Sequence, residues 1–153
     1  MRVIGVSRSG RGRRDVERVY RPRAIAAALA RADFVVLTLP LSAATRGLIG
    51  APALAAMKPT AWLINLARGP IVDEAALIAA LRARRIGGAI LDVFDTEPLP
   101  PEHPLWAVDN VVITPHISGP STPAEIAPIF ADNLRRYLAG RPLRHEVDRR
   151  RGY

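Results

Sequence analysis

The chain of 153 residues contains no cysteine. That one absence excludes a disulfide framework, a thiolate metal site and a cysteine nucleophile together. Aromatic residues make up only 5% of the sequence, too few for the basic-aromatic interleaving that stacks nucleobases. No apolar run approaches the roughly 18 residues of a membrane span. The opening Met1-Arg2-Val3-Ile4-Gly5-Val6-Ser7-Arg8 has too short an apolar stretch for a secretory signal. These absences lead to the expectation of a cytoplasmic protein with no membrane partner. Lysine is nearly absent as well: Lys58 is the only one, and the other basic residues are arginines. A formal charge of +8 invites a nucleic-acid reading. Arginine paired with abundant alanine fits a GC-rich coding sequence better than selection for phosphate contacts. The arginines gather in residues 8–23 and 141–151, where only Tyr20 and Tyr153 accompany them. No nucleic-acid partner is expected.

Half of the residues are hydrophobic (49%), which excludes a disordered chain, and the length suits one domain with a real core. Apolar runs at residues 2–6, 34–39, 62–66, 89–94 and 111–114 read as strands, the third long enough to be buried on both faces. Between them, residues 22–31, 47–57 and 73–85 carry helical spacing, the second broken at Gly50-Ala51-Pro52. Thr122-Pro123-Ala124-Glu125 is a capping box that opens a last helix, in which Pro128 predicts a kink or a late start. The basic residues 141–153 read as a tail without regular structure. Strands alternating with helices at this spacing argue an α/β fold with a doubly wound parallel sheet.

Arg68, Asp92, Glu97 and His116 all fall at or just after strand ends, where open α/β sheets bind ligands. An arginine grips a carboxylate with two parallel hydrogen bonds and polarises an adjacent carbonyl. A histidine exchanges a proton near neutral pH, and a carboxylate beside it stabilises the imidazolium. Together they suit reduction of a 2-oxo acid, or oxidation of a 2-hydroxy acid, where a hydride carrier is present. His103, His116 and His145 have no ligand-like spacing, so no metal is expected.

Four segments carry a specific resemblance: Leu63-Ile64-Asn65-Leu66-Ala67-Arg68-Gly69-Pro70-Ile71-Val72-Asp73-Glu74, Leu91-Asp92-Val93-Phe94-Asp95-Thr96-Glu97-Pro98-Leu99-Pro100, His103-Pro104-Leu105-Trp106 and Thr114-Pro115-His116-Ile117-Ser118-Gly119. With Thr38-Leu39-Pro40-Leu41 and Thr45, they resemble the nucleotide-binding domain of the D-isomer-specific 2-hydroxyacid dehydrogenases, from Met1 to about Asp148. The resemblance implies a Rossmann-like domain over residues 1–140. The tail 141–153 then returns toward a substrate domain that is absent here. It further implies that Arg68 binds the substrate carboxylate and carbonyl, His116 is the general acid/base and Glu97 is its partner. Asp92 would hold the nicotinamide carboxamide. Leu39, Pro40 and Thr45, with Thr38, Leu66, Ala67 and Gly119, would line the cofactor groove. Glu97 stands where the family's formate dehydrogenases carry glutamine, which disfavours formate. The loop after the first strand lacks the acid of NAD-preferring members and reads Ser7-Arg8-Ser9, with Arg11 close behind. Those residues favour NADP over NAD. The expected substrate is a small 2-oxo or 2-hydroxy acid of the glyoxylate or hydroxypyruvate type, and the full-length family member is expected to be a homodimer.

The sequence also departs from that pattern. Gly10-x-Gly12 is followed by Asp15 where a third glycine would stand, so it is no pyrophosphate loop. The strand at residues 2–6 corresponds to the family's second, which makes Met1 look like an internal methionine of a longer protein. The first βα unit, with its G-x-G-x-x-G turn, is missing. The missing strand is expected between the strand at residues 2–6 and the one ending at Leu66, leaving two open edges. A weakly stable chain that binds dinucleotide poorly and does not turn over follows as an expectation. Three functional readings stand: a fragment of an NADP-dependent 2-hydroxyacid dehydrogenase, a non-enzymatic dinucleotide-sensing corepressor relative, and a degenerate product.

Overall fold

A computed structural model describes residues 1–119 and 121–150 of the protein. Among the described residues there are six short strands, all in parallel pairs, and from the second strand onward helices or 3-10 turns separate them. Strands β1 (Ile4–Val6) and β2 (Arg18–Tyr20) form one two-stranded sheet. Strands β3 (Phe34–Leu37), β4 (Trp62–Asn65), β5 (Gly88–Leu91) and β6 (Val111–Ile113) form a second, in the order β3-β4-β5-β6. Helix α1 (Ile25–Leu29) follows a 3-10 turn that starts at Pro22, and α2 (Ala51–Ala56) is a short helix with Pro52 in its first turn. Helix α3 (Glu74–Arg82) is capped by Asp73, whose carboxylate accepts the Ala76 N–H at 3.0 Å. Helix α4 (Pro123–Leu138) opens on the expected capping box. It begins at Pro123, ahead of Pro128, so that proline does not delay it.

Register and the twofold alternation of side chains sort the larger sheet into two faces. Leu37, Leu63, Ala89 and Leu91 point into one apolar core with Leu29, Leu54, Leu77 and Leu81 of α1, α2 and α3. Phe34, Val36 and Val112 belong to the opposite face and stay exposed. The parallel α/β reading holds, and among the described residues the core-forming helices α1–α3 cover one face of this sheet. At its start the tail folds back on α4: Asn133 and Arg144 exchange two hydrogen bonds, at 2.8 and 3.1 Å. Residues 151–153 lie outside the described residues.

Two corrections follow. Residues 18–20, which carry little apolar signal, form the edge strand β2. The break in the sheet separates β1 from β3, not β1 from the strand ending at Leu66. In a doubly wound sheet the first strand after the return crossover sits beside the centre and later ones add outward. The strand before Arg68, β4, is therefore interior, paired with β3 and β5.

Candidate active site

Arg68 stands where buried strand β4 gives way to a 3-10 turn, Gly69–Ile71. The turn is braced from below by Asn65, which is only 1% exposed. Its side-chain oxygen accepts the Ala67 N–H and its amide donates to the Arg68 carbonyl, both at 3.1 Å. Gly69 is pressed against the neighbouring strand end, since a Cβ there would lie 2.0 Å from the carbonyl carbon of Phe94. The two strand mouths, β4 and β5, are thereby locked together. The Arg68 side chain is exposed and donates one bond, at 2.6 Å, to the Ala67 carbonyl.

Beyond β5 the chain carries Glu97 to the same rim. One Glu97 oxygen accepts the Phe94 N–H at 2.9 Å and the other accepts from His116 Nδ1 at 2.7 Å. The His116 bond, the Phe94 N–H and the positive charges of His116 and Arg68 outweigh partial burial and hold the Glu97 carboxyl below its ordinary value. An ionised carboxylate only accepts, so Nδ1–H of His116 points at Glu97 and Nε2 is the ring nitrogen turned away from it. His116 has φ of +54°, a left-handed conformation that costs a non-glycine residue energy and concentrates at functional sites. What holds it there is Asp92, with no solvent exposure. Asp92 accepts from the Thr114 hydroxyl and from the N–H groups of Ile117 and Ser118, both at 2.9 Å. Burial alone would raise its pKa, but these bonds together hold it well below the usual carboxylate range. Glu97 and His116 open on a cavity of about 530 Å³ whose apolar wall includes Phe94, Leu99, Trp106 and Ile113.

A second cavity of about 530 Å³ gathers Ser7 and Arg8, past the end of β1, with Thr38, Leu39, Pro40 and Thr45, past the end of β3. The Thr45 hydroxyl donates to the Pro40 carbonyl and accepts the Ser42 N–H, both at 2.8 Å, so it fixes the shape of this bank. Ser7 and Ser9 hydroxyls accept the N–H groups of Gly10 and Arg11, each at 3.2 Å, in a loop turned by Gly10 at φ +64°. Ser9 and Arg11 are exposed and do not line that cavity. Residues 7–11 offer hydroxyl and guanidinium donors and no carboxylate, a set that fits an anionic group on a sugar better than a free ribose diol. Leu66 and Gly119 are exposed, and Ala67 is buried beneath the Arg68 turn.

Of the residues singled out from the sequence, Glu97 and His116 line one cavity and Ser7, Arg8, Thr38, Leu39, Pro40 and Thr45 the other. Sequence reasoning gave no part to Asn65, whose only signal is a polar side chain inside an apolar run. It also missed the left-handed backbone of His116, which no side-chain pattern announces.

Against known proteins, the chain is 50% identical over 80% of its length to an (S)-sulfolactate dehydrogenase of Chromohalobacter salexigens, covering 40% of that protein. It is 44% identical over 75% of its length to a glyoxylate/hydroxypyruvate reductase A of Klebsiella pneumoniae, covering 37% of it. A solved D-isomer specific 2-hydroxyacid dehydrogenase from Xanthobacter autotrophicus Py2, in complex with NADPH and MES, superposes with a TM-score of 0.90 at 41% identity. That superposition covers all of this chain and 73% of the other. The chain spans about half or less of the length of the curated relatives it matches. Residues 1–118 match the family described as D-isomer specific 2-hydroxyacid dehydrogenase, NAD binding domain, and with that match over most of its length the chain belongs to this family.

Proposed function

We propose that this chain supplies the cofactor-binding and proton-transfer part of an NADP-dependent reductase of small 2-oxo acids, of the glyoxylate or hydroxypyruvate type. The observation that carries the reading is the Glu97–His116 pair at 2.7 Å, within electrostatic reach of Arg68 at neighbouring strand mouths. Arg68 holds the substrate carboxylate and polarises the adjacent carbonyl. His116 gives a proton from Nε2 to the carbonyl oxygen as it becomes a hydroxyl, and takes one back in the oxidative direction. Glu97 fixes the imidazole's orientation and tautomer through Nδ1 and stabilises its charged form. When bound, the reduced nicotinamide supplies the hydride that this proton completes. Asp92, expected to hold the nicotinamide carboxamide, is fully buried with its oxygens engaged by Thr114, Ile117 and Ser118, so in this reading its part is to moor the turn that carries His116.

Residues 1–140 form the cofactor domain in this reading, followed by the basic tail 141–153. Ser7, Arg8, Ser9 and Arg11 would hold the 2′-phosphate side of the dinucleotide, with Thr38, Leu39, Pro40 and Thr45 on the opposite bank. The absence of a carboxylate in residues 7–11 supports NADP over NAD. By kinship the whole protein is proposed to work as a cytoplasmic homodimer. The test is oxidation of NADPH with glyoxylate or hydroxypyruvate, run on the protein as its own cell makes it. Arg68→Gln should raise KM, and His116→Gln should lower kcat by about 10²–10⁴-fold. A His116→Gln protein as fast as wild type refutes the reading, and tighter binding of NADH than NADPH refutes the cofactor choice.

A further inference from the structure

Arg68 and Glu97 reach one rim on two chain segments, and those segments are tied together at two points. The first tie is the close packing of Gly69 on Phe94. The second lies farther out, between residues with no part in the chemistry above. Glu74 opens α3, and its Oε1 accepts from Nε2 of His103 at 2.9 Å. The His103 and Glu74 side chains are only 16% and 24% exposed, so this bond is largely shielded from water and stronger for it. The other ring nitrogen is engaged too. His103 Nδ1 accepts the Leu105 N–H at 3.3 Å, as the cap of a 3-10 turn, Pro104–Ala107. An accepting ring nitrogen carries no proton, so Nε2 holds it and donates to Glu74.

What lies on each side of the bond gives it a consequence. On the Glu74 side, Ile71 and Val72 are buried, and the backbone of Pro70, Ile71 and Asp73 bonds to Gly47 and Ile49. The segment from Arg68 to Glu74 is thereby held as one piece. On the His103 side, the His103 N–H and Trp106 Nε1 both donate to the Pro100 carbonyl, at 3.0 and 2.8 Å. Residues 100–106 close into a unit that sets Leu105 in the core and Trp106 on the wall of the cavity shared by Glu97 and His116. Between the two ties run residues 95–102, of which only Leu99 and Pro100 are partly covered. A loop with so little buried surface has few contacts of its own, and its course depends on its fixed ends. Glu97 sits in that loop, and its 2.7 Å bond to His116 requires the loop to stay in place.

We propose, resting on the reading of this rim as a 2-oxo acid reductase site, that Glu74 and His103 are positioning residues for the proton transfer. Their bond fixes the loop of Glu97 against the Arg68 segment, and Glu97 in turn fixes the imidazole of His116. Neither residue touches the reacting atoms; both act through Glu97. A misplacement of about 1 Å that starts far from the chemistry costs up to about 10²-fold in rate. Leu105 stays anchored in the core when the bond is cut, so the loop shifts without unfolding the domain.

Four variants of the protein as its own cell makes it test this, with NADPH and glyoxylate as reactants. His103→Asn puts an oxygen in place of Nδ1, which keeps the bond from the Leu105 N–H, but it is too short to reach Glu74. His103→Gln puts a nitrogen in place of Nε2, which keeps the bond to Glu74 and gives up the cap. Glu74→Ala removes the tie, whereas Glu74→Gln retains an acceptor oxygen. His103→Asn and Glu74→Ala should each lower kcat about tenfold and leave the KM for NADPH unchanged. The double variant should lose no more than either single one. His103→Gln and Glu74→Gln should keep about half or more of the wild-type kcat. In a 13C titration the Glu97 carboxyl should move toward its ordinary 4.5 in the two cut variants and stay put in the two conservative ones. Should Glu74→Ala fold poorly, His103→Asn carries the test, since its turn keeps its cap. A cut variant with wild-type kcat, or with an unmoved Glu97 midpoint, overturns the proposal and leaves the reductase reading intact. Equal losses in His103→Asn and His103→Gln overturn it too, because the cap and not the tie would then matter. If wild type does not reduce glyoxylate, the reductase reading falls instead. The Glu97 midpoint in His103→Asn still decides the tie: a moved midpoint supports it and an unmoved one overturns it.

Discussion

Asp92→Asn should destabilise the protein by about 1.5–3 kcal/mol at pH 7, and the geometry says why. One Asp92 oxygen accepts from the Thr114 hydroxyl and the Ile117 N–H, and the other accepts the Ser118 N–H. Asparagine fills the same volume but offers one acceptor oxygen. In its better orientation it keeps Thr114 and Ile117 and turns its own NH2 against the Ser118 N–H. One charge-assisted bond is lost and a buried donor is left opposed, together about 1.5–3 kcal/mol. Urea unfolding reads the difference, and with a slope of about 1–3 kcal/mol/M the midpoint should fall by roughly 0.5 M or more.

The pH dependence carries a sign that a volume effect would not. Asp92 has a folded pKa below its ordinary 3.8, so its stabilisation is fully present above that value and is lost as pH falls toward the folded one. The gap between wild type and Asp92→Asn should stay constant from about pH 5 to 8 and shrink below about pH 4. A variant within about 0.5 kcal/mol of wild type at pH 7 would show that Asp92 does not moor this turn, as would a gap that persists unchanged to about pH 2.

His116→Gln should let the Glu97 carboxyl rise toward its ordinary 4.5, because the bond from His116 is the largest of the influences that lower it. A 13C titration of that carboxyl measures this, and an unmoved midpoint would contradict the pairing. The same depression means that Glu97 helps the fold above pH 4.5 and loses that contribution as pH falls through its folded value. Gly69→Ala forces a Cβ to 2.0 Å from the Phe94 carbonyl carbon and 2.4 Å from the Asp95 nitrogen, both backbone atoms that cannot swing aside. We expect a loss of about 3 kcal/mol or more, with the Phe94 amide exchanging faster as its bond to Glu97 opens. Wild-type stability would show that the strand mouths are not locked as described.

Much of this was legible in the sequence, for identifiable reasons. Phe34-Val35-Val36-Leu37 and Trp62-Leu63-Ile64-Asn65 are apolar runs bounded by punctuation, a pattern that reads as a strand even though Phe34 and Val36 stay exposed. Arg68, Glu97 and His116 stood out because each charged group follows such a run. Arg18-Val19-Tyr20 did not stand out, since an exposed edge strand needs little apolar content and forms because β1 offers it a partner. Strand adjacency also escaped a linear reading, which put the gap beside β4 when it lies beside β3. The bracing bonds of Asn65 and the φ of His116 exist only in turns that packing creates.

The most direct test is a glyoxylate titration, in the presence of NADP, of the 15N-labelled protein as its own cell makes it, following the Arg68 side-chain N–H and the His116 imidazole nitrogens. Both should shift along one saturation curve, with the His116 change at Nε2, and Arg68→Gln should abolish it. Glyoxylate that moves neither group, or that binds Arg68→Gln as well as wild type, would contradict the assignment of this rim as a 2-oxo acid site.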